Sequence, residues 1–178
     1  MLGQIHRFLI QRRANNALRG IYAFYLFFEK YGYSMLLNLV LFLNCLWFGA
    51  GFWLFSLNPS KTALMMSSRK MRENSLYDLV KQIAPFVGGF NLAFLFLCLV
   101  MLILGDVFTS AENLIVLFSV IAVAHATQFY GNVPNALKDW RNEKPGWRVL
   151  KGPMLFIFIG DFVLMVLNAI AAGYMLYV

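Results

Sequence analysis

His125 and Asp161 are the two residues whose chemistry stands out, because each lies inside a long apolar run where ionisable groups are rare and costly. His125 sits about five residues from the end of one run and Asp161 about eight residues into the next, counted from the loop they share. At 1.5 Å per residue they lie at depths of about 8 Å and 12 Å below the same surface, close enough to meet. Asn91, in an earlier run, and Gln128, close to His125 towards the loop, fall in the same layer. Such a layer of Asn91, His125, Gln128 and Asp161 could bind the polar head of a lipophilic molecule or relay a proton. The plainer reading is that the four satisfy one another and hold helices together, since interhelical hydrogen bonds in apolar surroundings contribute about 0.6–2 kcal/mol each.

Other chemistry finds little support. His6 is the only further histidine, and no Cys or carboxylate cluster offers the three or four ligands of a metal centre, so no metal site is expected. Cys45 and Cys98 each stand within an apolar run and read as small apolar residues. No nucleophile motif or phosphate-cradling glycine loop occurs, and no catalytic residue is assigned.

The elements that must position these residues follow from composition. Of the 178 residues 61% are hydrophobic and 13% charged, against about 45–50% and 25% in soluble domains. A span needs roughly 20 apolar residues, and four runs qualify: 33–56, 84–104, 111–130 and 154–178. The expected fold is all-α, an integral membrane four-helix bundle over 31–178, multi-pass, in a membrane the sequence does not identify. Pro85 is expected to open the second span, where its missing N–H costs nothing. Ser110 and Glu112 are expected to cap the third. Spans two and three then form an antiparallel hairpin. Asn38, Asn44 and Asn168 read as helix-packing donors, and Asn168 shares a helix face with Asp161 seven residues earlier.

Fifteen Lys and Arg against eight Asp and Glu give a net charge of +7. It falls on two polar connections, 57–83 and 131–152, and on residues 1–30, where arginines alternate with apolar side chains. That alternation predicts an N-terminal interfacial amphipathic helix with snorkelling arginines. Arg12, Arg13, Arg69, Lys70, Arg72, Lys138, Arg141 and Arg148 are the expected contacts to lipid headgroups or partner subunits, each attracted to anionic lipid by about 1 kcal/mol. Trp140, Trp147 and Tyr130 suit the headgroup level. Ten basic residues in the two loops against five on the other side favour loops in the cytoplasm, while four arginines in the N-terminal segment oppose its translocation. A basic folded surface for nucleic acid is not present.

Gly88-Gly89-Phe90, then an apolar helix, a polar turn with Glu112-Asn113, Ala122-Val123-Ala124-His125 and Tyr130-Gly131 resemble the corresponding hairpin of the four-helix ergosterol-biosynthesis scaffold family. The similarity covers about 45 of the 178 residues and departs from the family at Pro85-Phe86, where it has an arginine, and at Gln128, where it has an acid. The layout also resembles DoxX-like small membrane proteins, some of which are quinone-linked oxidoreductase subunits. The resemblance implies a small four-helix accessory protein. Two functions compete on this reading. The first is a non-catalytic accessory or scaffold subunit of a larger membrane complex, with membrane lipids and other integral membrane subunits as partners, no nucleic acid and no soluble substrate. The second is a quinone- or sterol-like lipid-binding oxidoreductase subunit that uses the His125/Asp161 layer. The first is preferred, because acid–base chemistry needs a positioned pair with a substrate in reach and no cofactor motif accompanies this one; bound lipid is expected, with quinone the one cofactor the second reading admits. A transporter would need more polar lining and repeats.

Overall fold

The computed structural model describes residues 33–67, 72–105 and 110–177, and every regular element among them is helical. The predicted arm at 1–30, with Arg12 and Arg13, lies outside the described residues, as do Arg69, Lys70 and the turn at 106–109. The chain falls into two units, Met1–Leu39 and Val40–Val178. In the first, the described residues 33–39 are the opening turns of α1 (Tyr33–Phe52), and Asn38, expected to pack, is exposed. The second holds the rest of α1, a π-helical turn at Trp53–Leu57, α2 (Pro59–Met66), α3 (Ser75–Ile103), α4 (Ala111–Trp140) and α5 (Pro153–Tyr174). Four helices, Ser34–Leu57 with its π-helical end, α3, α4 and α5, are long and apolar enough to cross a membrane.

Helix starts follow local chemistry. Asn74 caps α3 by accepting from Leu76 N–H at 3.2 Å, and Asp78 follows in its first turn. Ser110 caps α4 as expected, accepting from Asn113 N–H at 3.3 Å, with Glu112 beside the positive end of the helix dipole. Gly152, at φ 63°, turns the chain into Pro153, the first residue of α5.

Two boundaries differ from expectation. α3 begins at Ser75 and not near Ala84, which places Pro85 inside the helix. α4 runs on through Pro134 to Trp140, ten residues past the expected end. A proline interrupts one hydrogen bond without ending a helix whose neighbouring turns are supported. The flanking turns carry Asp78, Lys81, Lys138 and Asp139, charges that hide a helix from an apolar-run criterion. Much of each "connection" is therefore helix, with α2 occupying part of the first.

α4 stops in a left-handed turn: Asn142 takes φ 56°, and Glu143 N–H donates to Lys138 O at 2.9 Å. The loop beyond folds back onto one face of α4. Asn132 Oδ1 accepts from Trp147 Nε1 at 2.9 Å, Asn135 Oδ1 accepts from Gly146 N–H at 2.8 Å, and Asp139 Oδ2 accepts from Val149 and Leu150 N–H at 2.7 and 3.0 Å. Lys138, Arg141 and Arg148 point outward, exposed. Because Asp139 accepts two such bonds and each to a charged partner contributes about 1.5–3 kcal/mol, Asp139→Ala is expected to lower stability by about 3 kcal/mol or more and to speed amide exchange at Val149 and Leu150. Unchanged exchange there would show that the loop is held by other contacts.

α4 and α5 pack antiparallel along their lengths, as Phe129 on Phe158 (ring centroids 4.6 Å) and His125 on Asp161 show. α3 packs on α2 and the π-helical turn. Gly88 makes this approach possible, since a Cβ there would overlap the backbone nitrogen and side chain of Ser56. The closest helix pairing among the described residues is that of α4 with α5, while α3 and α4 flank a cavity.

Candidate functional site

His125 and Asp161 meet, as their common depth predicts. His125 Nδ1 lies 3.1 Å from Asp161 Oδ1, and both side chains are fully buried. α4 delivers the imidazole on the stripe Phe118, Ile121, His125, all buried at helical spacing. α5 delivers Asp161, Leu164 and Asn168 by the same logic.

The second half of α1 completes the group. Asn44 and Asn168 form a reciprocal amide pair, with Asn44 Nδ2 to Asn168 Oδ1 at 2.9 Å and Asn168 Nδ2 to Asn44 Oδ1 at 3.1 Å. Each amide also donates to the carbonyl one turn back on its own helix, Val40 O at 2.9 Å and Leu164 O at 2.7 Å. Those carbonyls fix the amide orientations, because a flipped amide would set oxygen against oxygen. Asn44 Oδ1 is therefore an acceptor, and it faces His125 Nε2 at 2.9 Å. Nε2 carries a proton. Trp47 Nε1 donates to Asp161 Oδ1 at 2.9 Å. The His125 Nδ1 to Asp161 Oδ1 contact is a hydrogen bond with a proton between the two atoms, and a hydrogen-bonded pairing of this kind is what apolar surroundings tolerate.

Aromatic rings close the site. Phe48 stacks on the His125 ring at 4.9 Å and on Phe94 at 5.0 Å. Trp47 reaches Asp161 only because residue 160 is glycine: a Cβ there would overlap the six-membered part of the indole.

Asn91 and Gln128 are not bonded to this group. Asn91 Nδ2 donates to Val87 O of its own helix at 2.9 Å, and its amide lies against Gly51. Both residues, with Asp161, instead line a cavity of about 820 Å³ between α3 and α4. The rest of its wall is largely apolar, including Val87, Phe94, Val123, Ala124 and Ile157. It opens on the apolar surface of the protein, where its lining residues Phe90 and Val123 are 69% and 61% exposed. A second cavity of about 290 Å³ shares Asn91, Gln128 and Ile157 with the first and reaches Trp47 and Lys61. The larger volume falls within the range of about 300–1,000 Å³ typical of small-molecule sites, and the smaller lies at its lower edge.

Of the residues expected in the polar layer, two bond and two line the cavity beside them. Trp47 and Gly160 carry no sequence signal that separates them from other aromatic and small residues. Asn44 and Asn168 do act as packing donors, and their tie to His125 is the added finding. Among the described residues no group of three or more His, Cys, Asp or Glu is placed to hold a metal ion. Cys45 and Cys98 are buried free thiols. Compared with models of known families, with curated proteins and with solved structures, the chain gives no match.

Proposed function

We propose that this chain is an integral membrane four-helix bundle that holds a lipophilic molecule with a small neutral polar head, acting as an accessory protein and not as an enzyme upon it. The observation that carries the reading is the cavity of about 820 Å³ whose apolar wall ends in Asn91, Gln128 and Asp161. An apolar slot with a few polar groups at its inner end is the shape an amphipathic lipid fills. Its mouth between α3 and α4 suits entry from the bilayer, on a surface where Phe86, Phe96, Val116 and Ile103 are all exposed. An apolar surface of this extent in water would drive aggregation.

The non-catalytic role is supported by His125, both of whose ring nitrogens are committed to Asp161 and Asn44. A general base needs a free lone pair within reach of substrate. Quinone- and sterol-like lipids belong to the class the cavity suits, and other membrane subunits are the partners that would receive or supply them. Exposed Arg72, Lys138, Arg141 and Arg148 suit contact with anionic headgroups.

Lipids retained through purification in mild detergent provide the test. The unmodified chain is expected to retain roughly one non-phospholipid molecule per chain. Ala124→Phe, which fills the cavity from α4 without touching the polar group, is expected to reduce that retention at least tenfold at unchanged thermal stability. Equal retention by both proteins, or none by either, would overturn the reading and return preference to a pure scaffold.

A further inference from the structure

We infer that the ligand of this cavity brings a hydrogen-bond donor, a hydroxyl group on an otherwise apolar chain, and that Asp161 receives it. The inference rests on the lipid-holding reading and names the class of lipid. Asp161 is fully buried and lines the cavity, yet only one of its carboxylate oxygens is used. Oδ1 takes both His125 and Trp47. Oδ2 has no hydrogen-bond partner among the described residues.

A buried carboxylate oxygen without a donor is an exception that calls for an explanation. The protons of the site are already placed: one on His125 Nε2, facing Asn44, and one between His125 Nδ1 and Asp161 Oδ1. Neither arrangement of the shared proton supplies one to Oδ2, which is therefore an acceptor. Nearby, Asn91 Nδ2 gives one of its two protons to Val87 O, and among the described residues no donor reaches its Oδ1. Among the described residues the Gln128 side chain has no hydrogen-bond partner, only its backbone carbonyl accepting from Asn132, and it offers both donors and an acceptor. Among the described residues neither Lys nor Arg lines this cavity.

Among the described residues, the one buried polar side-chain atom left without a partner, Asp161 Oδ2, is thus an acceptor. A head carrying only carbonyls, such as an oxidised quinone, would set oxygen against Oδ2. A phosphate-bearing head would bring negative charge to a wall that carries Asp161 and no Lys or Arg to offset it. A hydroxyl satisfies both sides: its O–H donates to Asp161 Oδ2, and its oxygen accepts from Gln128 Nε2. Because Oδ2 is covered by neighbouring side chains that do not bond it, the entering hydroxyl parts them and becomes its partner.

Three probes with one skeleton separate these heads: farnesol, farnesyl methyl ether and farnesal. Tritiated farnesol is bound to the full chain in phosphatidylcholine nanodiscs, and each unlabelled compound competes. Farnesol is expected to compete about tenfold or more better than the ether and the aldehyde, since only it donates to the carboxylate. In Asp161→Asn, whose amide can itself donate, that advantage is expected to vanish. The ligand series uses the unmodified chain and stands whether or not Asp161→Asn folds. Equal competition by all three, with tracer lost in Ala124→Phe, would overturn the hydroxyl assignment and leave the cavity reading in place. Absence of saturable tracer binding, or binding unaffected by Ala124→Phe, would overturn the cavity reading and the hydroxyl assignment with it.

Discussion

Replacing His125 by alanine is expected to destabilise the protein by about 3–5 kcal/mol, the range for breaking a buried ion pair from one side. The imidazole is fully buried between Asp161 and Asn44 with Phe48 stacked on its face. Its removal leaves Asp161 Oδ1 with Trp47 alone, strands Asn44 Oδ1 on its bond to Asn168, and opens a void beside a ring. Asp161→Ala is expected to act in the same range. Replacing both by leucine is expected to fall well short of the sum, because no uncompensated charge then stays buried, although Trp47 Nε1 loses its acceptor. Unfolding by SDS titration from mixed micelles, followed by tryptophan fluorescence, gives the three values. Additive losses, or a single loss below about 1 kcal/mol, would show that the pair does not hold these helices together. The same variants bear on function: where Ala124→Phe leaves stability intact and empties the cavity, His125→Ala is expected to reduce both.

His125 and Asp161 were legible for a physical reason. In apolar runs an ionisable group is conspicuous by its cost, and depth counting from a shared loop fixes its level. The four long helices were legible too, because sustained apolar runs leave few alternatives. Helix ends were less so. Pro85 and Pro134 resemble boundaries, but supporting contacts carry α3 and α4 past them, and the charged turns around Asp78 and Asp139 hide the remaining helix. Asn91 was placed in the right layer and the wrong bond: nothing in a residue type says whether an amide reaches across to another helix or back to its own carbonyl. Trp47 was hidden by company, since 30 aromatic residues of one kind or another make any single indole unremarked in sequence. Only its neighbour in space, Gly160, distinguishes it.

Gly160→Ala is accordingly expected to cost more than any usual glycine-to-alanine change in a helix, where alanine is favoured by about 1 kcal/mol. The added methyl would overlap the Trp47 ring. The indole must leave its slot, so overpacking of about 1–3 kcal/mol adds to the loss of a hydrogen bond to a carboxylate of about 1.5–3 kcal/mol. A net loss of about 3 kcal/mol is expected after the helix gain is subtracted. Trp47→Phe separates the contributions, since the smaller ring forfeits the bond to Asp161 Oδ1 but relieves the overlap. Adding Gly160→Ala to Trp47→Phe is then expected to cost under about 1 kcal/mol, a coupling of about 2 kcal/mol between residues 113 positions apart. The measurement is a double-mutant cycle on SDS-titrated unfolding. Additive losses would place the indole elsewhere than on Gly160. Because Trp47 also borders the smaller cavity beside Gln128, displacing its ring is expected to weaken lipid retention as well, which ties the packing of one glycine to the shape of the site.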